Sequence, residues 1–231
     1  MTIYMKFANK KTNLLNNKTT GEAPQLSTTY AEYDDGANVF NFYGDFRGTV
    51  LNANKWDTAG SSTNIATYIH VDNLLTVSPP GPGEGVSVYS LENFAAPNII
   101  EWYGSFTGPS PTANQQPSGF NNVAIGGFQT NFCGLSNTFT FGLFLVTGCS
   151  ASTVTLVQMV YTSAKSLYSV DWTTSSVTAK INYSNSVTAT SNIQTSPLDI
   201  SFGAGGAGYS ANVYWVRVRA YPPNEISNGE V

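Results

Sequence analysis

Short runs of Val, Thr, Tyr, Phe and Trp recur along this chain, and glycine or proline cuts each one off before a helix of useful length could form. Examples are Val86-Ser-Val-Tyr-Ser90, Ile99-Ile-Glu-Trp-Tyr-Gly-Ser-Phe106, Val123-Ala-Ile-Gly-Gly-Phe128, Thr138-Phe-Thr-Phe-Gly-Leu-Phe-Leu-Val146, Thr153-Val-Thr-Leu-Val-Gln-Met-Val-Tyr161, Leu167-Tyr-Ser-Val-Asp-Trp172, Val177-Thr-Ala-Lys-Ile-Asn-Tyr183, Leu198-Asp-Ile-Ser-Phe202 and Val213-Tyr-Trp-Val-Arg-Val-Arg219. Branched and aromatic side chains suit a pleated surface. The stretches between, Pro79-Pro-Gly-Pro-Gly83, Pro109-Ser-Pro111, Gln116-Pro-Ser-Gly119 and Gly203-Ala-Gly-Gly-Ala-Gly208, read as breakers. Many short strands joined by Gly/Pro-rich turns fold as an all-β sandwich or barrel.

Period-two alternation assigns faces within the runs. On the run from Ile99, Ile100, Trp102 and Phe106 share the core side, and Glu101, Tyr103 and Ser105 the other. On the run from Val213, Tyr214, Val216 and Val218 fall on one side, and Trp215, Arg217 and Arg219 on the other, where arginine can stack on the indole. A tyrosine beside a carboxylate can hold a sugar, the ring against its C–H face and the acid accepting its hydroxyls. Glu101 and Tyr103, with the amides of Asn121, Asn122, Gln129 and Asn131, are the candidate ligand-binding set. An ordinary solvated face gives the same pattern.

Charged residues make up 10% of the 231 positions, against about 25% in an ordinary domain. Ser, Thr and Asn, roughly a third of the chain, wet the surface instead. Neutral hydroxyls and amides do not titrate in acid, so an extracellular or cell-surface setting is expected. The net charge is −4 with no basic cluster, which argues against a nucleic-acid partner. No apolar run is long enough to span a bilayer as a helix. Cys133 and Cys149 would close a loop worth about 3 kcal/mol as a disulfide; two buried thiols are the alternative. His70 is the sole histidine, and nothing around it reads as a nucleophile elbow.

Two segments resemble the bookend strands of a concanavalin A-like lectin/glucanase domain: Phe42-Tyr-Gly-Asp-Phe-Arg-Gly-Thr-Val-Leu-Asn-Ala-Asn-Lys-Trp-Asp57 and Val213-Tyr-Trp-Val-Arg-Val-Arg-Ala-Tyr-Pro-Pro223. The opening Ile3-Tyr-Met-Lys-Phe-Ala-Asn9, then a polar linker and an Asp-Phe strand, resembles the seam of DUF2341-type surface proteins. The resemblance implies a jelly-roll sandwich of two antiparallel sheets over residues 41–224, a strand and linker at 1–40 left from an upstream domain, and a tail at 225–231.

Laminarinase-type enzymes of this fold carry carboxylates at alternate positions on one cleft strand, and a retaining pair must sit about 5 Å apart. No Glu-x-Asp-x-Glu is present, and the acids at spacing two, Glu32 and Asp34, precede the sandwich. A non-enzymatic module for surface recognition or adhesion is therefore expected, with glycans or another surface protein as partner. The first alternative is a structural subunit of a filament, surface layer or virion, self-assembling through the strand at residues 2–9. The second is an atypical glycoside hydrolase. No cofactor is expected, except that Asp34, Asp35 and Asp45 with backbone carbonyls could hold a structural calcium. Asp34-Asp-Gly36 equally suits a plain turn.

Overall fold

The computed structural model describes residues 40–61, 65–79, 81, 83–108, 115–122, 131–138, 142–148 and 154–221. Two antiparallel sheets face each other. The first contains β1 (Phe42–Gly44), β3 (Ile69–Val71), β4 (Leu75–Val77), β6 (Asn98–Thr107), β11 (Ser166–Trp172), β12 (Val177–Ile181), β13 (Asn185–Ala189) and β15 (Ser210–Ala220). Its strand order is β13-β12-β11-β6-β15-β4-β3, and β1 also pairs with β15. The second contains β2 (Trp56–Gly60), β5 (Gly85–Phe94), β7 (Gln115–Asn121), β8 (Phe132–Thr138), β9 (Gly142–Gly148), β10 (Val154–Met159) and β14 (Leu198–Gly205), in the order β10-β9-β8-β7-β14-β5-β2. The described residues hold no helix beyond one 3-10 turn at Ile65–Thr67. The expected two-sheet sandwich is what forms.

Aromatic rings join the sheets. Trp102 stacks on Tyr168 within the first sheet and meets Phe202 of the second edge-on, with centroids 5.9 Å apart. Phe120 of the second sheet lies 5.0 Å from Trp172 of the first. Phe42 meets Trp56 edge-on at 5.1 Å. Such pairs add to the burial of their own large apolar area. Ile100, Trp102 and Phe106 all face this core, as alternation required.

The strands depart from simple alternation at several points, one of them a shift between Asp199 and Ser201 where β14 pairs with β5. Gln116-Pro-Ser-Gly119 is no breaker: it lies inside β7, where Gln116 Nε2 donates to the carbonyls of Thr107 and Ser210. Gly119 takes φ +139°, and a Cβ there would strike the backbone of Gly134 on β8, so the glycine lets two strands approach closely. The run from Thr138 to Val146 is divided, with β8 ending at Thr138 and β9 starting at Gly142, where φ is +108°. On β15 a bulge lies between Val213 and Trp215. Val213, Val216 and Val218 therefore line the core, while the half-buried Tyr214 is displaced from it. Gly104 stands opposite Val213, and a Cβ on it would run into the Asn212 carbonyl.

The strand expected at residues 123–128, the segment at 1–39, Cys149 and the tail lie outside the described residues. Cys133 is buried in the core.

Trp102→Ala is expected to cost about 3–5 kcal/mol of unfolding free energy, and Gly104→Ala about 1–3 kcal/mol, by urea denaturation. A Gly104→Ala chain as stable as the parent would show that the bulge does not depend on the missing Cβ.

Candidate functional site

The outer face of the first sheet is a closed electrostatic network. Arg217 and Glu101 are paired across β15 and β6 by the register. Arg217 Nε donates to Glu101 Oε2 at 2.7 Å, Arg219 Nε to the same oxygen at 3.4 Å, and the Tyr183 hydroxyl to Oε1 at 2.9 Å. The Arg217 guanidinium lies 4.8 Å from the Phe40 ring and 5.1 Å from that of Trp215, so the expected stacking on the indole is present. Glu101 retains 1% exposure. Burial pushes its carboxyl up, but the charges of Arg217 and Arg219 with the Arg217 and Tyr183 hydrogen bonds outweigh burial and hold it below the ordinary glutamate value. Nearby, Asp171 accepts from Ser169 Oγ at 2.7 Å and pairs with Lys180 at 2.6 Å. Both acids are thus consumed by the fold.

The expected ligand-binding set is divided between two faces. Glu101 and Tyr103 sit on the first sheet, and the Tyr103 ring leans on Tyr214 at 5.5 Å. Asn121 ends β7 on the second sheet, and Asn131, half-buried, accepts the Asn122 N–H at 3.0 Å. Although β6 and β7 are neighbours in sequence, they belong to opposite sheets, which is why the set does not converge. Gln129 lies outside the described residues. So do Asp34 and Asp35; Asp45, the third expected calcium ligand, is ion-paired with Arg47 at 3.0 Å. The described residues contain no group of three or more His, Cys, Asp or Glu able to hold a metal.

The second sheet presents a different outer face. Register places Asp57, Tyr89, Ser201, Gly119 and Gly134 in one row across β2, β5, β14, β7 and β8. The adjacent row holds Asn93, Asp199, Asn121 and Phe132. The small residues Ser87, Gly119, Gly134 and Ser201 form a buried floor. Solvent reaches the rim, where Asp57 and Asn93 are exposed and Tyr89 is half-buried. The Tyr89 hydroxyl donates to Asp57 Oδ2 at 2.9 Å. That bond raises the phenol above its ordinary value, helped by burial and by the charges of Asp57 and Asp199. Beneath the rim, Asn121 Nδ2 donates to Ser201 Oγ at 2.9 Å, and its Oδ1 is buried without a partner. An unmet buried acceptor costs about 1–3 kcal/mol.

Sequence reasoning missed Asp57, Tyr89 and Asp199. Alternation within Val86-Ser-Val-Tyr-Ser90 does turn Tyr89 away from the core. The partnership with Asp57, 32 residues away, is a tertiary pairing that no local spacing encodes.

No family model matches the chain, and no curated protein does either. Solved structures match in fold. A glycosyl hydrolase family 16 protein of Mycobacterium smegmatis superposes with a TM-score of 0.60 at 14% identity, covering 78% of this chain and 99% of its own. A pseudo beta-1,3-glucanase and immunostimulatory antigen of Mycobacterium tuberculosis gives 0.59 at 15%, covering 79% and 99%. A beta-glucanase of Bacillus licheniformis gives 0.56 at 15%, covering 78% and 98%. The sandwich is thus the jelly roll of the concanavalin A-like glucanases, as the bookend strands implied; the DUF2341 resemblance finds no support.

These likenesses overturn the expectation that the chain is not an enzyme, since the proteins it resembles are named as glycoside hydrolases and glucanases. The expectation rested on finding no alternating acids along a single strand. Folding instead gathers acids from different strands: Asp57 of β2 and Asp199 of β14 share one face with Tyr89 between their strands.

The Glu101 shift has a definite sign. A carboxyl whose folded-state value is depressed stabilises the fold above the unfolded value and loses that contribution as pH falls through the folded value. Melting temperatures of the parent chain should therefore drop as pH falls below 4.5, and the drop should be shallower in Glu101→Gln. Parallel melting curves in acid would refute the assignment, whatever the offset between them.

Proposed function

We propose that this protein binds β-linked glycans outside the cell, on the outer face of the second sheet. The observation that carries the proposal is the rim of Asp57, Tyr89 and Asn93 above a floor of glycine and serine. Sugars offer many hydroxyl donors, and carboxylates and amides accept them. The Tyr89 ring adds an apolar surface for a sugar C–H face. On the first sheet the corresponding acids are held by arginine and lysine, which leaves them no acceptor capacity to spare. The glucanase names of the structural neighbours favour a glucan as ligand, and the low content of charged groups suits an extracellular setting.

A second reading is that the same face also cleaves its ligand, favoured by Asp57 and Asp199 lying on either side of Tyr89's strand. Binding and cleavage separate in one set of measurements. On native gels containing laminarin or lichenan the chain should be retarded, and Tyr89→Ala and Asp57→Asn should each weaken that retention roughly tenfold, the equivalent of about 1.4 kcal/mol. Unretarded migration on both polysaccharides would sink the glycan proposal. Release of reducing ends, lost in Asp57→Asn, would establish cleavage.

A further inference from the structure

We infer a second saccharide site on this protein, at the corner between β1, β2 and β5, that takes an acidic sugar with Lys55 as its anion contact. Two hollows flank Lys55 there. The larger, of about 500 Å³, is lined by Asn41, Asn54, Leu91 and Glu92 around Lys55. The smaller, of about 270 Å³, is lined by Asp45, Arg47, Val50 and Asn52 on the other side of the same lysine. Tyr43 belongs to both walls.

Lys55 is half-buried, and its Nζ donates to the Tyr43 carbonyl at 2.9 Å. It lies 5.9 Å from the centre of the Phe42 ring. Among the described residues no carboxylate pairs with it, whereas Arg47 is engaged by Asp45 at 3.0 Å. An ammonium group has three donors, and the Tyr43 carbonyl uses one. A partly desolvated cation with donors to spare and no counter-ion is suited to an anion. Charge balance selects the hollow. Arg47 stands with Lys55 in the lining of the smaller hollow and is offset there by Asp45, whereas Glu92 lines the larger, so an anion meets less repulsion in the smaller one.

The remaining lining is what a sugar ring meets well. Asn41, Asn52 and Asn54 are exposed and offer both donors and acceptors. Val50 lines the smaller hollow and Leu91 the larger, with 78% and 51% exposure, so each offers an apolar edge to C–H groups. A ligand straddling Lys55 would set its acidic residue in the smaller hollow and a neutral residue in the larger. The anion contact follows from Lys55 alone, and the choice of a saccharide to carry it rests on the glycan reading given above.

The test uses oligomers of galacturonate, which carry carboxylates, and of carrageenan, which carry sulfates, with laminarin as the neutral control, by isothermal titration at low and high salt. Binding of either acidic oligomer, weakened by salt, is expected. It should fall roughly tenfold in Lys55→Met, as loss of one charge-assisted contact requires. Because Lys55 also holds the Tyr43 carbonyl, Val50→Asp supplies a second test: it adds a negative charge to the smaller hollow at an exposed position and should weaken acidic oligomers while leaving laminarin binding unchanged. Tyr89→Ala should do the reverse; a parent chain that binds acidic oligomers but not laminarin would count against the second-sheet rim and not against this corner. Acidic oligomers that do not bind, or that bind equally to the parent, Lys55→Met and Val50→Asp, would overturn the inference.

Discussion

Everything in this fold depends on aromatic rings that meet across the gap between the sheets. Trp102 touches Phe202, Phe120 touches Trp172, and Phe42 touches Trp56, each pair drawn from opposite sheets. Few residues supply so much apolar area per position, and their edge-on or tilted geometry tolerates the twist between stacked sheets. With the interior filled by rings, the outward positions are released from packing duty and can differ between the two faces. One face spends its polar residues on ion pairs. The other leaves an open rim over small residues.

That asymmetry bears on function more than the fold does. A jelly roll of this kind hosts lectins and hydrolases alike, so its shape narrows the ligand class without naming a chemistry. What distinguishes this chain is where its few charges stand. Glu101 is neutralised by two arginines and a tyrosine, and Asp171 by a lysine and a serine. Asp57 and Tyr89 form a pair at the solvent edge. Lys55 stands between two hollows, with the Tyr43 carbonyl and the Phe42 ring beside it and no paired carboxylate among the described residues. In a chain with so little charge, the sites that are not internally compensated mark where a ligand would be met.

The local part of this organisation is legible in the sequence. The short β runs, the inward set of Ile100, Trp102 and Phe106, and the stacking of Arg217 on Trp215 all follow from period-two alternation. Non-local features are not. Alternation cannot say that the strands holding Glu101 and Asn121 enter different sheets, because it assigns faces within one strand and not which strands pair. Proline and glycine at Pro117 and Gly119 look like an interruption, yet Gly119 meets Gly134 of the neighbouring strand, and only knowledge of that neighbour turns a breaker into a strand residue. Acids scattered along the chain look unable to cooperate because spacing in sequence measures distance within one strand, not across a sheet.

The bulge at Tyr214 sets a rule about length. One edge of β15 is divided between two short partners: β4 lies against Ala211 to Val213, and β1 against Phe42's partner Val218 back to Val216. The extra residue falls between those two stretches, so each half of the strand keeps its own phase. Tyr214 is the extra residue, because Val213 and Trp215 face the consecutive Gly104 and Tyr103, so its removal would leave a plain ladder with the valines still inward, whereas removing a residue within the stretch after it would send the following side chains to the opposite face. At this point the chain can lose one residue without turning either half over, a tolerance that positions further along the strand do not share.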